Sequence, residues 1–390
     1  MRQEQPGSET ADPAGRVEII EEPRRLEAIS TAWDQLAEKD PRAHVFQGCP
    51  WLSTWLRHYP RARPFLLVFW RDDEMTAALP LCAYDLGRGW CRMRTLRFIA
   101  DNNSDYCDAL SDPDHPNDLG VLWEHLTRRK DWHLLDLRYL PEGSQVATLS
   151  HAAGQRFWSL RQRLDAAPYI DLRTDWRERV PRNHRTEVLR RWRRVQEQGQ
   201  VTFEIARTPE EADMMLDQLA RMHIARWQGR HETSVFHFAD YRRWVHDVCH
   251  ELLKRDQLYL CRLSLDGRPM SMALAFLQSR RLLRYTSTFD EAYSRFGPVH
   301  LLLMAVVEDL RANNIADVHE FGRGWEAYKA RWTHQAHAIE RILVARVSAV
   351  GLAAFWWAGH LKPFVWNHER LGTLLREGRR RATLLLKRRS

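Results

Sequence analysis

At 390 residues, 44% hydrophobic and 28% charged, the chain has the composition of a globular protein long enough for two ordinary domains. Its net charge of +8 is gathered at one end: residues 341–390 hold eleven Lys/Arg against Glu369 and Glu377, about +9, which leaves the rest near neutral and argues against a folded duplex-binding module. The longest near-apolar run, VSAVGLAAFWWAG from Val347 to Gly359, is shorter than the roughly 18–20 residues that cross a bilayer, so a membrane-spanning helix is excluded.

In chain order, MRQEQPGSETADPAG (residues 1–15) is polar and rich in Pro, Gly and Glu, which predicts a disordered N-terminus with no secretory signal. The segment 16–172 then begins with a strand and a helix, VEIIEEPRRLEAISTAWDQLAE. A hairpin (PFLLVFWRDDEMTAALPLCAYD), a strand (LRFIA), a helix (NDLGVLWEHLTRR) and another strand (HLLDLRYL) follow. The segment 173–346 opens with a basic helical linker, DWRERVPRNHRTEVLRRWRRVQEQG (residues 175–199), which reads equally as a solvated helix or as one that holds an anionic ligand, and repeats the order. VTFEI and a helix opened by Thr208 or Pro209 lead to a hairpin turned at Asp266-Gly267. The strand LLRYTSTF, the helix GPVHLLLMAVVEDLRANN and the strand DVHEFGRG complete it. One α/β unit with a mixed sheet is used twice. The six cysteines show neither a C-x-x-C pair nor zinc spacing, which predicts reduced thiols in a cytoplasmic protein.

Two stretches carry candidate chemistry. In YSRFGPVHLLL, Gly297 permits a turn and a close ligand approach, and Pro298 suits the first helical turn. The amides of Val299, His300 and Leu301 are then expected at a strand-to-helix junction, where a positive macrodipole attracts phosphate. Beyond the next strand, FGRGWEAYKARW crowds Arg323, Glu326, Lys329 and Arg331 between glycines and aromatics. Arg323 and Lys329 suit charge stabilisation, and Glu326 suits proton acceptance. Each stretch alone reads equally as a helix start or a surface ion-pair cluster.

Taken in order, the series RRWRRVQEQG, MHIARW, LDGRP, YTSTFDEAY, GPVHLLL and RGWEAYKARW resembles GNAT-superfamily acetyltransferases of the CelD/BcsL type, which are related to the FemABX aminoacyl transferases. The resemblance covers about Val17 to Arg346. It implies two tandem GNAT-like α/β halves and direct transfer of an acetyl or acyl group from acyl-CoA, with no metal, to an amine or hydroxyl of a sugar or cell-envelope precursor. It places the donor at Gly297, Pro298, Val299, His300 and Leu301, with catalysis by Glu326 or His223 as base and Lys329 with Arg323 as charge stabilisers. Arg226, Trp227, Tyr285, Asp290, Tyr293 and Asp105 would bind the acceptor, and Asp108 matches a further position of the pattern. One departure is Gly297-Pro298-Val299 where the family has Ser-Pro-Gly, which sets a β-branched side chain where a small one admits pyrophosphate. A tRNA-borne aminoacyl donor and a non-catalytic glycan- or membrane-binding scaffold are the rival readings. The basic, Trp- and Leu-rich tail, residues 347–390, reads either as a helix lying on an anionic membrane surface or as one docked on its own domain.

Overall fold

A computed structural model describes residues 15–86, 93–151, 157–228 and 233–361. The N-terminal disorder expected for residues 1–15 lies, apart from Gly15, outside these residues, as does the tail beyond residue 361. The first half runs β1 (Arg16–Ile20), α1 (Pro23–Ala28), α2 (Ser30–Lys39), α3 (Cys49–His58), β2 (Arg63–Arg71), β3 (Glu74–Leu86), β4 (Met93–Phe98), β5 (Leu110–Ser111), α4 (Asp118–Arg128), β6 (Leu134–Pro141) and α5 (Gln145–His151). A long strand β7 (Phe157–Asp171) leads through α6 (Trp176–Arg179) and α7 (Arg182–Gln196) into the second half. That half runs β8 (Val201–Ile205), α8 (Pro209–Trp227), α9 (Ala239–Leu253), β9 (Leu258–Leu265), β10 (Arg268–Gln278), β11 (Arg281–Phe289), α10 (Pro298–Ala312), β12 (Val318–Glu320), α11 (Ala327–Ala330), β13 (Ala336–Arg346) and α12 (Ala349–Trp356).

Local chemistry accounts for many of the boundaries. Thr208 caps α8 by accepting from the Glu211 amide at 3.3 Å, and the Glu211 side chain returns to the Thr208 amide at 3.2 Å, with Pro209 in the first turn. Asp266 and Gly267 both take positive φ (48° and 74°), the geometry of a type I′ turn that matches strand twist between β9 and β10. Helix α7 keeps Arg190, Arg193 and Arg194 in solvent while Val188 and Val195 pack inward against the core that also receives α10.

The strands form one path, β1-β2-β3-β4-β6-β13-β7-β12-β11-β10-β9-β8, with β5 beside β3. This order is nearly a palindrome. Each half runs from its first strand through its hairpin to a parallel pair, β4 with β6 and β11 with β12. At the centre the halves exchange strands. β13, from the segment 173–346, pairs antiparallel with β6, and β7, from the segment 16–172, pairs antiparallel with β12. β13 and β7 pair with each other along most of their length, Ala336 opposite Pro168 through Arg346 opposite Phe157. The segments 16–172 and 173–346 are therefore not two separately hydrogen-bonded sheets. Helices cover both faces, and one apolar cluster joins the halves: Trp51 of α3 meets Trp244 of α9 edge-on at 4.9 Å. No helix among the described residues is long and apolar enough to cross a membrane.

Candidate active site

The parallel pair β11/β12 lasts for only three residues, Arg281–Leu283 against Val318–Glu320. Beyond Leu283 the two strands part. The register of β11 on β10 jumps at the same place, from Ala275 opposite Arg284 to Leu274 opposite Thr286, which leaves Tyr285 as the extra residue of a bulge. The opened sheet becomes the wall of a cavity of about 690 Å³. Helix α10 closes one side, the FGRGWEAYK segment another, the end of α8 a third, and Asp105 enters from the first half.

At the mouth of α10, Gly297 adopts φ 64°, a left-handed conformation that favours glycine, and a Cβ there would collide with the Arg191 guanidinium. The glycine thus lets α7 lay an arginine across the helix entrance. The donor set is narrower than the sequence suggests, because the carbonyl of Gly297 already accepts from the amides of His300 (3.0 Å) and Leu301 (3.4 Å). Pro298 has no N–H, so Val299 supplies the first-turn amide that the chain leaves uncommitted. Leu301 is wholly buried in the core and does not line the cavity. The His300 side chain does; its Nδ1 accepts from Trp332 Nε1 at 2.9 Å, so the proton of the neutral ring sits on Nε2. Burial, then the neighbouring His184 and arginines, pushes its pKa down to about 3. Arg191 and Arg331 both pair with Glu187 beside this mouth.

In the FGRGWEAYK segment Lys329 is 2% exposed, and its ammonium is fully engaged. It donates to the carbonyls of Arg323 and Gly324, both at 2.9 Å, and pairs with Glu326 at 2.6 Å. The three donors of a lysine are thereby spent on shaping the loop, against the expectation that it stabilises reacting charge. Burial lowers its pKa and the Glu326 contact opposes that shift. Arg323 lies 3.6 Å from the centroid of the Tyr139 ring and pairs with Asp105 at 3.2 Å, a contact between the two halves. Gly322, at φ 71°, has no room for a Cβ beside the Asp105 carboxylate. Burial raises the Asp105 pKa against the pull of Arg323.

From α8, the His223 ring lies parallel to Trp227 at 5.8 Å, with Nδ1 2.8 Å from Ser234 Oγ. Burial, then Arg226, lowers its pKa to about 4, so the imidazole is neutral at pH 7. Arg226 rests 4.0 Å over the Phe289 ring. Glu326 is more than half exposed at the rim. Tyr285 lines the cavity and is partly buried, its hydroxyl accepting from Tyr241 at 3.2 Å.

Besides Leu301, two expected residues fall outside the cavity lining. Asp290 is a local cap, accepting from the Ala292 amide at 2.9 Å to start the 3-10 turn Glu291–Phe296, and Tyr293 packs partly buried against the second-half core. Among the other lining residues are Arg191, Arg284 and Tyr328, to which the sequence assigns no individual role. Arg284 is 6% exposed, sits over the rings of Phe321 (4.8 Å) and Tyr328 (5.2 Å), and donates to the Tyr328 hydroxyl. A charged residue inside the apolar strand LLRYTSTF was the available signal. Arg191, Arg226, Arg284, Arg323 and Lys329 line the cavity with Asp105 and Glu326, and Glu187 and Glu291 pair with Arg191 and Arg226 from beside it, which leaves the site net positive by one charge and suits an anionic ligand. No group of three or more His, Cys, Asp and Glu is arranged to hold a metal among the described residues.

Residues 182–330 match the acetyltransferase (GNAT) domain family. No curated protein matches the chain. Among solved structures the chain is similar to FemX, with 10% identity, a TM-score of 0.58, and coverage of 84% of this chain and 98% of that one. It is also similar to L-PGS from Bacillus licheniformis (13% identity, TM-score 0.51, 87% and 97% covered). A third is the C-terminal domain of a putative lysylphosphatidylglycerol synthetase from Agrobacterium fabrum (13%, 0.51, 85% and 95%). At these identities the likeness is one of fold. The second half thus carries the match to the GNAT domain, and the chain as a whole, a mixed α/β structure, shares its fold with FemX.

Proposed function

We propose that this cavity is the acyl-transfer site of a GNAT-type transferase that takes an acetyl or acyl group from acyl-CoA to an amine or hydroxyl acceptor, a sugar or cell-envelope polysaccharide precursor as in the CelD/BcsL type. One observation carries the reading: the α10 mouth and the FGRGWEAYK segment, separate in sequence, line the same cation-rich cavity at the point where β11 and β12 part. The donor's pyrophosphate would meet the Val299 amide, the helix dipole and Arg191. Val299 presents a larger side chain at this point than the Ser-Pro-Gly form, so the phosphate would rest further out, toward Arg191.

In the reaction the acceptor's nitrogen or oxygen attacks the thioester carbonyl, the C–S bond breaks from the tetrahedral intermediate, and the acceptor's proton leaves to a base. Glu326 or His223, which is neutral at pH 7, takes it. Arg284 donates to the Tyr328 oxygen, which leaves the Tyr328 O–H to donate to the oxyanion or the departing thiolate. Lys329 is a positioning residue that holds the Arg323-Gly324 carbonyls and Glu326 in one arrangement.

Thermal stabilisation by a panel of acyl-CoA thioesters tests the donor. A ligand at 100 times its dissociation constant adds about 2.7 kcal/mol, and the shift is expected to shrink in Arg191→Ala. Tyr328→Phe should lower turnover by about a hundredfold while leaving that shift intact. A panel without effect overturns the acyl-CoA donor. The exposed arginines of α7 and the likeness of fold to FemX favour a second reading, an aminoacyl-tRNA donor. Loss of activity on ribonuclease treatment would select it.

A further inference from the structure

Ten large hydrophobic side chains stand exposed among the described residues, and five of them fall in one 15-residue stretch: Val347, Leu352, Trp356, Trp357 and Leu361. This stretch is not a loose end. Ser348 caps α12 by accepting from the Gly351 amide at 3.0 Å, and the far end is pinned by Arg341, which donates to the Ala358 carbonyl at 3.0 Å while pairing with Asp136 at 2.6 Å. Gln162 Nε2 holds the Gly359 carbonyl at 3.1 Å. The face turned to the sheet is mostly small, Gly351, Ala354 and Ala358 with Phe355, seated on Leu134, Leu343 and Ala345. A helix packed only for its own domain turns its largest apolar groups inward. Here two tryptophans point outward, about half exposed at 56% and 49%, from a backbone fixed to the body.

The chain beyond Leu361 indicates what this face meets. Residues 362–390 hold nine Lys/Arg against Glu369 and Glu377, a charge of 9 − 2 = +7, and set Leu384, Leu385 and Leu386 between Arg379-Arg380-Arg381 and Lys387-Arg388-Arg389. Tryptophan and leucine beside dense Arg/Lys are the groups that an anionic lipid interface accepts, rings at the headgroup level and cations on phosphate. A second copy of the chain is disfavoured, because it would bring two such tails together. We propose that the outer face of α12 and of the helical turn after it, Trp357–Leu361, docks on the surface of an anionic bilayer, with Trp356, Trp357, Leu352 and Leu361 inserted at the headgroup level. The donor cavity has no part in this contact, so the proposal stands or falls independently of the acyl-transfer reading.

The test is co-sedimentation of the full-length protein with vesicles of phosphatidylglycerol mixed into phosphatidylcholine, against vesicles of phosphatidylcholine alone. Binding to the anionic vesicles is expected, weakened by high salt. The double substitution Trp356→Ser and Trp357→Ser should weaken it about tenfold with the thermal midpoint little changed, since each side chain is already about half exposed. Indole emission should shift to the blue on binding and be quenched by lipids brominated in the upper acyl chain, and the double variant should lose that response. Three results overturn the proposal: no binding, equal binding to both vesicle types, or undiminished binding by the tryptophan double variant. Self-association of the wild type that the double variant abolishes would also overturn it, in favour of a second copy.

Discussion

The two halves present the same junction, a parallel strand pair with a helix between its members, and handle the mouth of that helix in opposite ways. At α4 the mouth is filled from within. Asp118, in the first turn and 1% exposed, takes two hydrogen bonds from Arg71 at 2.7 and 2.8 Å and a third from Thr76 at 2.6 Å. The chain has placed its own carboxylate where an anion would bind. The residues after β4 complete the plug, with the Cys107 amide on the Tyr139 carbonyl at 2.9 Å. At α10 no carboxylate occupies the first turn, and the space opens onto the cavity. The lesson is that a duplicated unit need not duplicate its site: the first half has become a wall that sends Asp105 and Tyr139 to meet Arg323.

The strongest way to break this contrast is to remove the plug. Burial on its own would raise the Asp118 pKa, but the hydrogen bonds from Arg71 and Thr76 prevail and hold it low. Asp118→Ala leaves a partly buried arginine without its partner, and about 3 kcal/mol of stability should be lost in denaturant titration. Donor binding at α10 should not change. A variant that lost acyl-CoA binding while keeping its stability would show that the first mouth is no mere plug.

Much of this architecture is legible in local chemistry. The Thr208 capping box, the Asp266-Gly267 turn and the Gly297-Pro298 helix start each depend on residues within a few positions of one another, and each forms as its sequence suggests. What resists reading is non-local. FWSLRQRLDAAPYID gives no strand signal, because β7 crosses from one half to the other and is exposed unevenly, yet it is the longest strand and joins both halves. The sequence leaves the basic helix of residues 175–199 open between a solvated linker and a holder of an anionic ligand, and only the packing of α7 on α10 shows that it is Arg191 that lies over Gly297. Lys329 has the charge for catalysis, and only its burial reveals that the loop consumes it. Asp290 and Tyr293 belong to the right segment but point to other tasks, a property that side-chain spacing does not encode.

The first-half plug also carries a pH signature of its own. Asp108 is buried beside Ser144, which donates to it at 2.8 Å, and the Ala109 amide, at 2.9 Å; burial pushes its pKa up to about 7, with Ser144, Ala109 and Arg42 opposing and Asp40 reinforcing. The folded chain therefore keeps this proton to near pH 7, whereas the unfolded chain releases it near the ordinary value of 3.8. Stability from this group is full below about pH 4 and declines as pH rises toward 7. Asp108→Asn keeps an acceptor for Ser144 and carries no charge. It should be more stable than the wild type by about 2 kcal/mol at pH 8 and no more stable at pH 4, as thermal melts at the two pH values would record. Equal effects at both would assign the change to packing rather than to titration.

The smallest effect comes from closing the second mouth. Gly297→Ala adds one methyl to a residue at φ 64°, which costs about 1 kcal/mol in backbone strain, and directs that methyl at the Arg191 guanidinium. Arg191 must swing off the helix entrance, although Glu187 remains within its reach. If the Arg191 charge over the Val299 amide is what separates the open mouth from the plugged one, the apparent affinity for the donor should fall by about tenfold, roughly 1.4 kcal/mol, with turnover at saturation little changed. Pairing this variant with Arg191→Ala decides the matter. The two losses should fail to add, because both remove the same cation from the same place, and full additivity would mean that Arg191 and the α10 mouth bind different parts of the ligand.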